Sequence, residues 1–276
     1  MEKGIRISNK EYREREGISS SELKKLMKSP AHYKHYKDNP QEDTPALLFG
    51  RAAHKYVLET YDFYNEFAVA PICDRRTKEG KATWEQFVAD SQGKDVITQE
   101  QFEQIDAMRN AMLATPYVSK LINGEHEVSY FWTDEDTGLK CKVRPDSINH
   151  KLKIIVDYKT TDNAETEAFM RQAIKYGYDL QAQMYQQGVK ANLGEEYLFV
   201  FIAQEKKPPY AVNILEADES FMASGKRIFR EMLNVYKECT ESGNWYGYLG
   251  AESQINSLGV PKWIENLLDT ESEEDE

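Results

Sequence analysis

Residues 143–161 read VRPDSINHKLKIIVDYKTT. Leu152–Lys159 has the make-up of a buried strand, Leu139–Ile148 reads as the strand before it, and Asn149-His150 is a turn between them. In a strand, side chains two residues apart share a face, so Asp157 and Lys159 point together and Tyr158 faces away. Asp146 closes the preceding strand on this reading, and a tight connection brings its carboxylate beside Asp157. Two carboxylates at a strand end pack poorly against apolar neighbours. They suit Mg²⁺, a hard cation that takes oxygen ligands and keeps waters for substrate phosphates. An ammonium beside them can orient an attacking water and offset charge developing on phosphorus. On spacing alone, an edge-strand ion pair between Asp157 and Lys159 is the alternative.

Outward from this stretch, Val128–Thr133 forms a further predicted strand, joined to the next by the turn-like DEDTG at 134–138. A helical stretch follows over Ala164–Asn192, with Gly177 a possible break. Glu196–Gln204 and Tyr210–Leu215 read as a strand pair around Lys207-Pro208-Pro209, and Ala217–Thr240 returns to helix. Upstream, Ile18-Ser19-Ser20-Ser21-Glu22 supplies N-cap candidates before LKKLM, and Ser29-Pro30 ends or restarts that helix. Leu47–Thr60 and Gln99–Ile122 have helical spacing. The last 36 residues read as a loosely packed extension. The expected fold is α/β, a small mixed β-sheet flanked by helices.

Composition limits the classes available. The chain has 276 residues, 40% hydrophobic and 12% aromatic, enough for a substantial core. One domain over residues 1–264, with helical DNA-binding elements at its N-terminal end, and an acidic, disordered tail over 265–276 are expected. The longest apolar run, Tyr197–Ala203, is far short of the ~20 residues of a membrane span. The opening MEKGIRISNKEYRERE has no apolar signal region, and Cys73, Cys141 and Cys239 lie far apart with no CxxC. A cytoplasmic protein without a membrane partner is therefore expected. The net charge of −12 argues against nucleic acid at first sight, but residues 265–276 carry seven acids and no base, leaving −5 on the rest. Residues 1–40 hold ten Lys/Arg against six Asp/Glu, and DRRTKEGK at 74–81 is a second basic stretch. Solvated helix faces would look the same.

Pro145-Asp146, ten residues, then Asp157-Tyr158-Lys159 resembles the PD-(D/E)xK nuclease signature. Gly50-Arg51-Ala52-Ala53-His54 is similar to the upstream GxxxH of the RecB-type branch, and Gln181-Ala182-Gln183-Met184-Tyr185 to its downstream QxxxY, in the family's order. Flanking stretches, among them ISSSELKKLMKSPAHY, DRRTKEGKATW and the Trp245 and Pro261-Lys262-Trp263 segments, resemble the exonuclease VIII (RecE-type) group of phage and prophage recombination. The likeness covers most of residues 10–265.

The resemblance implies a restriction-endonuclease-like core in which Asp146 and Asp157 bind metal, with the Tyr158 carbonyl and His54 as further ligands. Lys159 would position the attacking water, and Gln181 and Tyr185, four apart on one helical face, would reach the same site. A packed histidine, a helix-face glutamine and a half-buried tyrosine are the plainer readings of His54, Gln181 and Tyr185. Glu127 is an outer carboxylate candidate or an ordinary strand-end acid. Arg13 or Arg15 with Ser19 and Ser21 stand where related exonucleases hold a 5′ phosphate, although the same serines could simply cap a helix. Arg75 and Arg76 are further DNA-binding candidates.

The implied activity is Mg²⁺-dependent, with Mn²⁺ possible: a double-strand DNA exonuclease degrading one strand 5′ to 3′ and leaving 3′ tails for a phage-type single-strand annealing protein. A homo-oligomeric ring on double-stranded DNA ends goes with it, in a bacterial host cytoplasm. Two rivals remain, a Cas4-like or helicase-associated nuclease acting on single strands or flaps, and a catalytically inactive DNA-binding protein on the same fold. The missing cysteine cluster weakens the first, and an intact His54, Asp146, Asp157 and Lys159 set weakens the second.

Overall fold

The computed structural model describes residues 4–39, 44–253, 255–260 and 262. The N-terminal part is β1 (Ile5–Arg6) and three short helices, α1 (Asn9–Glu14), α2 (Ser20–Leu26) and α3 (Pro30–Asp38). Ser8 caps α1, and Ser19 forms a reciprocal capping box with Glu22 at α2. Then come α4 (Pro45–Leu58), capped by Thr44 with proline in its first turn, α5 (Phe63–Glu66) and β2 (Phe67–Ala70). A crossover through α6 (Lys78–Asp90) returns the chain to β3 (Asp95–Thr98), parallel to β2. This small unit has no counterpart in the sequence reading: each strand is only four residues long, too short for a period of two to show.

Next are α7 (Gln99–Ala114) and α8 (Val118–Leu121). The expected single helix over Gln99–Ile122 is two, because Pro116 drives Thr115 into extended backbone. Strands β4 (Glu125–His126), β5 (Val128–Thr133), β6 (Lys140–Val143), β7 (Ser147–Asn149) and β8 (Ile154–Thr161) follow. The expected strand Leu139–Ile148 is likewise two, interrupted at Arg144-Pro145-Asp146, where proline cannot donate to a ladder. Helices α9 (Thr166–Lys175) and α10 (Tyr178–Leu193) are separated at Gly177, whose φ of +65° suits glycine. Strands β9 (Leu198–Glu205) and β10 (Val212–Glu216) and the long helix α11 (Glu219–Ser242) complete the described elements.

Five strands form a mixed sheet in the order β10-β9-β8-β7-β4, with β8 and β9 parallel and the other pairs antiparallel; β1-β5-β6 make a second sheet. Residues of β8 and β9 alternate between two helical layers. Ile155, Phe199 and Phe201 belong to the core that holds Leu180, Ala182, Met184, Phe229 and Leu233 of α10 and α11. Val156, Tyr158 and Ile202 pack on the opposite side with Val57 of α4 and Met112 of α7. The mixed α/β expectation, small sheets flanked by helices, matches what is observed. The stretch after α11 begins as packed chain, since Trp245 lies against Tyr33 and Tyr236. The acidic stretch 265–276 lies outside the described residues.

Candidate metal and catalytic site

The two sheets share strands. β4 runs into β5 through Glu127, at φ +53°, and β6 runs into β7 through Arg144-Pro145-Asp146, so the paired chains leave one sheet and enter the other at a crease. The Glu127 amide meets the Asp146 carbonyl across it at 3.4 Å. Beyond the crease, β7 pairs antiparallel with β8 in the register Ser147 opposite Val156, which sets Asp146 level with Asp157. Asp146 thus precedes a strand rather than closing one. The neighbourhood expected from a tight connection comes instead from the antiparallel register.

The Tyr158 amide donates to Asp146 Oδ2 at 2.7 Å. On α4, His54 Nε2 lies 2.5 Å from the Tyr158 carbonyl and 3.4 Å from Asp146 Oδ2. Ligand atoms of His54, Glu127 and Asp146 all fall within 4.8 Å of one another. Arg144 Nε braces Glu127 at 2.8 Å. Asp157 is fully buried, accepts from Gln181 Nε2 at 2.6 Å through Oδ1, and contacts the Lys159 ammonium through Oδ2.

Charge is crowded at low dielectric. Burial and then the Asp157 charge push the Asp146 carboxyl up to about 8. Burial also raises Glu127, against Arg144 and with Asp146, to about 7. His54 is lowered by burial and by the Lys159 charge, which favours the neutral imidazole that ligates metals. Burial alone would lower Lys159, but Asp157 and Asp146 outweigh it and the ammonium is held. Two carboxyls that resist ionisation, an uncharged imidazole nitrogen and a backbone carbonyl around one point are a donor set a divalent cation would satisfy. His54 and Glu127 line a cleft of about 710 Å³ whose walls also carry Arg6, Arg13, Arg51, Lys55 and Arg144 together with Glu59 and Glu66.

A family model described as a PDDEXK-like domain of unknown function (DUF3799) matches residues 19–254. The chain belongs to this family. Its PDDEXK-like fold also appears in a crystal structure from Eubacterium rectale described as a "putative exonuclease", with a TM-score of 0.63 at 18% identity, covering 96% of this chain and 98% of that one. A phage related exonuclease from Haemophilus somnus 129PT aligns over 83% of this chain and 96% of its own, at 14% identity and a TM-score of 0.35. No curated protein matches the chain.

In this PDDEXK-like chain the tertiary structure brings together His54, Asp146, Asp157, the Tyr158 carbonyl, Lys159 and Gln181. Tyr185, one turn after Gln181, bonds Ser20, and burial raises its hydroxyl pKa well above the ordinary value. Glu127 joins the donor cluster itself. Of the 5′-phosphate candidates only Arg13 lines the cleft. Arg15 pairs with Glu11 at 3.2 Å and lies over Phe131; Ser19 is engaged by Glu22 at 2.8 Å and by Ser21 at 3.0 Å. Arg75 stacks 3.4 Å from the Trp84 ring centroid and Arg76 pairs with Asp74, on the loop before α6 and away from the cleft lining.

Two groups were not singled out among the candidate site residues, although Lys24 lies within the ISSSELKKLMKSPAHY stretch. Lys142, almost fully buried, donates to the carbonyls of Tyr12, Arg13 and Arg15 at the end of α1, and Arg144 bonds Asn9, so α1 is pinned over the crease. Lys24 of α2 reaches Gln181. Both contacts span more than a hundred residues, so local spacing carries no information about them.

Proposed function

We propose that the chain is a divalent-metal-dependent exodeoxyribonuclease that acts on double-stranded DNA ends, degrading one strand 5′ to 3′ and leaving 3′ single-stranded tails. The observation that carries this reading is the convergence of His54, Glu127 and Asp146 beside the buried Asp157–Lys159 pair, within a PDDEXK-like domain. The polarity and the recombination role rest on the resemblance to RecE-type enzymes, and the described fold of the Eubacterium rectale protein agrees with the class.

His54, Glu127, Asp146 and the Tyr158 carbonyl would hold the ion, Mg²⁺ with Mn²⁺ as a substitute, and Asp157 lies next to them. When bound, the ion supplies Lewis-acid stabilisation of a scissile phosphate and lowers the pKa of nearby water. Lys159, fixed by Asp157, presents an ammonium that orients the attacking water and offsets charge building on the phosphoryl oxygens. Gln181 fixes Asp157 in turn. On the cleft walls Lys55 pairs with Glu59 and Glu66, Arg6 with Glu59, Arg51 with Asp95 and Arg144 with Glu127, so the bound cation, with Arg13, would supply the positive charge that lets an acidic chain accept DNA. A ring of copies around the duplex and hand-over of the 3′ tail to an annealing protein complete the proposal.

The test compares 5′-phosphorylated linear duplex, unphosphorylated duplex, single strand and closed circle, with Mg²⁺, with Mn²⁺ and with chelator. Nucleotide release from the linear phosphorylated duplex alone, lost with chelator, is expected. Faster release from single strands or flaps would move the chain to the helicase-associated class, and binding without cleavage to the inactive one.

A further inference from the structure

Lys24 lies on α2 between Leu23 and Leu26, both buried in the core, yet its own side chain turns toward the site. Its Nζ donates to Gln181 Oε1 at 2.7 Å, Gln181 Nε2 donates to Asp157 Oδ1 at 2.6 Å, and the other Asp157 oxygen meets Lys159. Four side chains from α2, α10 and β8 thus form one unbranched chain. The Gln181 amide is oriented by its two neighbours: the Lys24 amino group donates to its oxygen and the Asp157 carboxylate accepts from its NH2.

The fold makes room for this arrangement. A Cβ at Gly177 would lie 3.2 Å from Lys24 Cγ and 3.0 Å from Met27 Sδ, so the glycine that breaks α9 from α10 also leaves space for the lysine stem. Lys24 and Lys159 sit at 5.2 and 5.0 Å from the centroid of the same Tyr178 ring. Burial, and next the Lys159 charge, push Lys24 down to about 7. Asp157, Asp146 and Asp179 act the other way and favour the charged form.

We propose that Lys24 is a positioning residue for phosphodiester hydrolysis: through Gln181 it holds the Asp157 carboxylate, and with it the Lys159 ammonium, in the orientation the attacking water requires. The inference deepens the exonuclease reading above and rests on it.

Steady-state digestion of 5′-phosphorylated linear duplex with Mg²⁺ tests it, using Lys24→Met, Lys24→Arg, Gln181→Ala and Lys24→Met/Gln181→Ala, each checked by thermal melting. Losing the Lys24–Gln181 hydrogen bond should lower kcat about tenfold in Lys24→Met with KM within about twofold of wild type. Lys24→Arg, again a donor only, should recover most of the rate. In the Gln181→Ala background, Lys24→Met should cost less than about twofold, since Lys24 would have lost the group through which it acts. An unchanged kcat, a raised KM at unchanged kcat, or equal losses in both backgrounds would each overturn the proposal. Should Lys24→Met fail to fold, Lys24→Gln is read by the same criteria. Asp157→Asn separates the two levels: wild-type rate there overturns the exonuclease site and this inference together. An inactive Asp157→Asn beside a fully active Lys24→Met removes only the role of Lys24.

Discussion

Asp157 shows what the site costs. Its carboxylate is fully buried and its partners are Gln181 and Lys159, so removing Lys159 leaves an uncompensated charge. Lys159→Ala should abolish cleavage and also destabilise the fold by about 3 kcal/mol, the usual penalty for breaking a buried pair from one side. Asp157→Asn keeps the shape but leaves the Lys159 ammonium without its carboxylate, so it should lose cleavage and also lower Tm. Digestion rates beside melting curves check both, and activity in either variant would remove the site assignment.

Asp146 and Glu127 predict a pH dependence. Their ordinary values are 3.8 and 4.5, and in the fold they rise to about 8 and about 7. The folded state therefore binds more protons than the unfolded one across that interval. Without metal, their contribution to stability is greatest below about pH 4 and is lost progressively as pH rises to about 8. A divalent ion replaces the protons, so Mg²⁺ should raise Tm more at about pH 8 than at about pH 6. Melting curves in chelator and in Mg²⁺ at both pH values check this, and Asp146→Asn should flatten the difference. His54→Ala should raise the Mg²⁺ needed for half-maximal digestion; an unchanged half-saturation would make His54 a packing residue.

At the scale of elements, α10 is the part that must not move, because Gln181 and Tyr185 both project from it. It is held close to α11 at Gly225, where a Cβ would come 2.1 Å from the Asp179 carbonyl oxygen, and to the β5–β6 pair at Gly188, where it would come 2.6 Å from Trp132. Gly225→Ala should cost roughly 3 kcal/mol through overpacking, read as a fall in Tm, and should lower kcat by displacing Gln181. Sequence patterning located α4, α10 and α11 from their helical spacing and most strands from their apolar, β-branched and aromatic runs, β8 and β9 being buried on both faces. It missed the breaks at Pro116 and Pro145, since apolar residues continue on both sides of each proline and the pattern averages over them.

For the whole molecule, charge is the main lever. Deleting residues 266–276 removes six acids and no bases, changing the net charge from −12 to −6. If the stretch acts through charge alone, the truncated protein should bind duplex DNA more tightly at low salt, with the gain shrinking as salt rises. Binding titrations at two ionic strengths check this. Loss of capture of an annealing protein, with rate and fold unchanged, would instead make the stretch a docking element.

The sequence by itself determined the α/β class, the alternation that puts Asp157 and Lys159 on one face of β8, and the helical spacing that aligns Gln181 with Tyr185. These are properties of local periodicity, and three to four residues suffice to express them. Only the tertiary structure decided that Glu127 joins His54 and Asp146, that the Gln181 amide bonds Asp157, that Arg13 reaches the cleft while Arg75 and Arg76 do not, and that Lys24 enters the site at all. The physical reason is the crease at Glu127 and Asp146. Which long-range groups meet depends on how two sheets share their strands there, and pairing between distant strands leaves no trace in the spacing of neighbours along the chain.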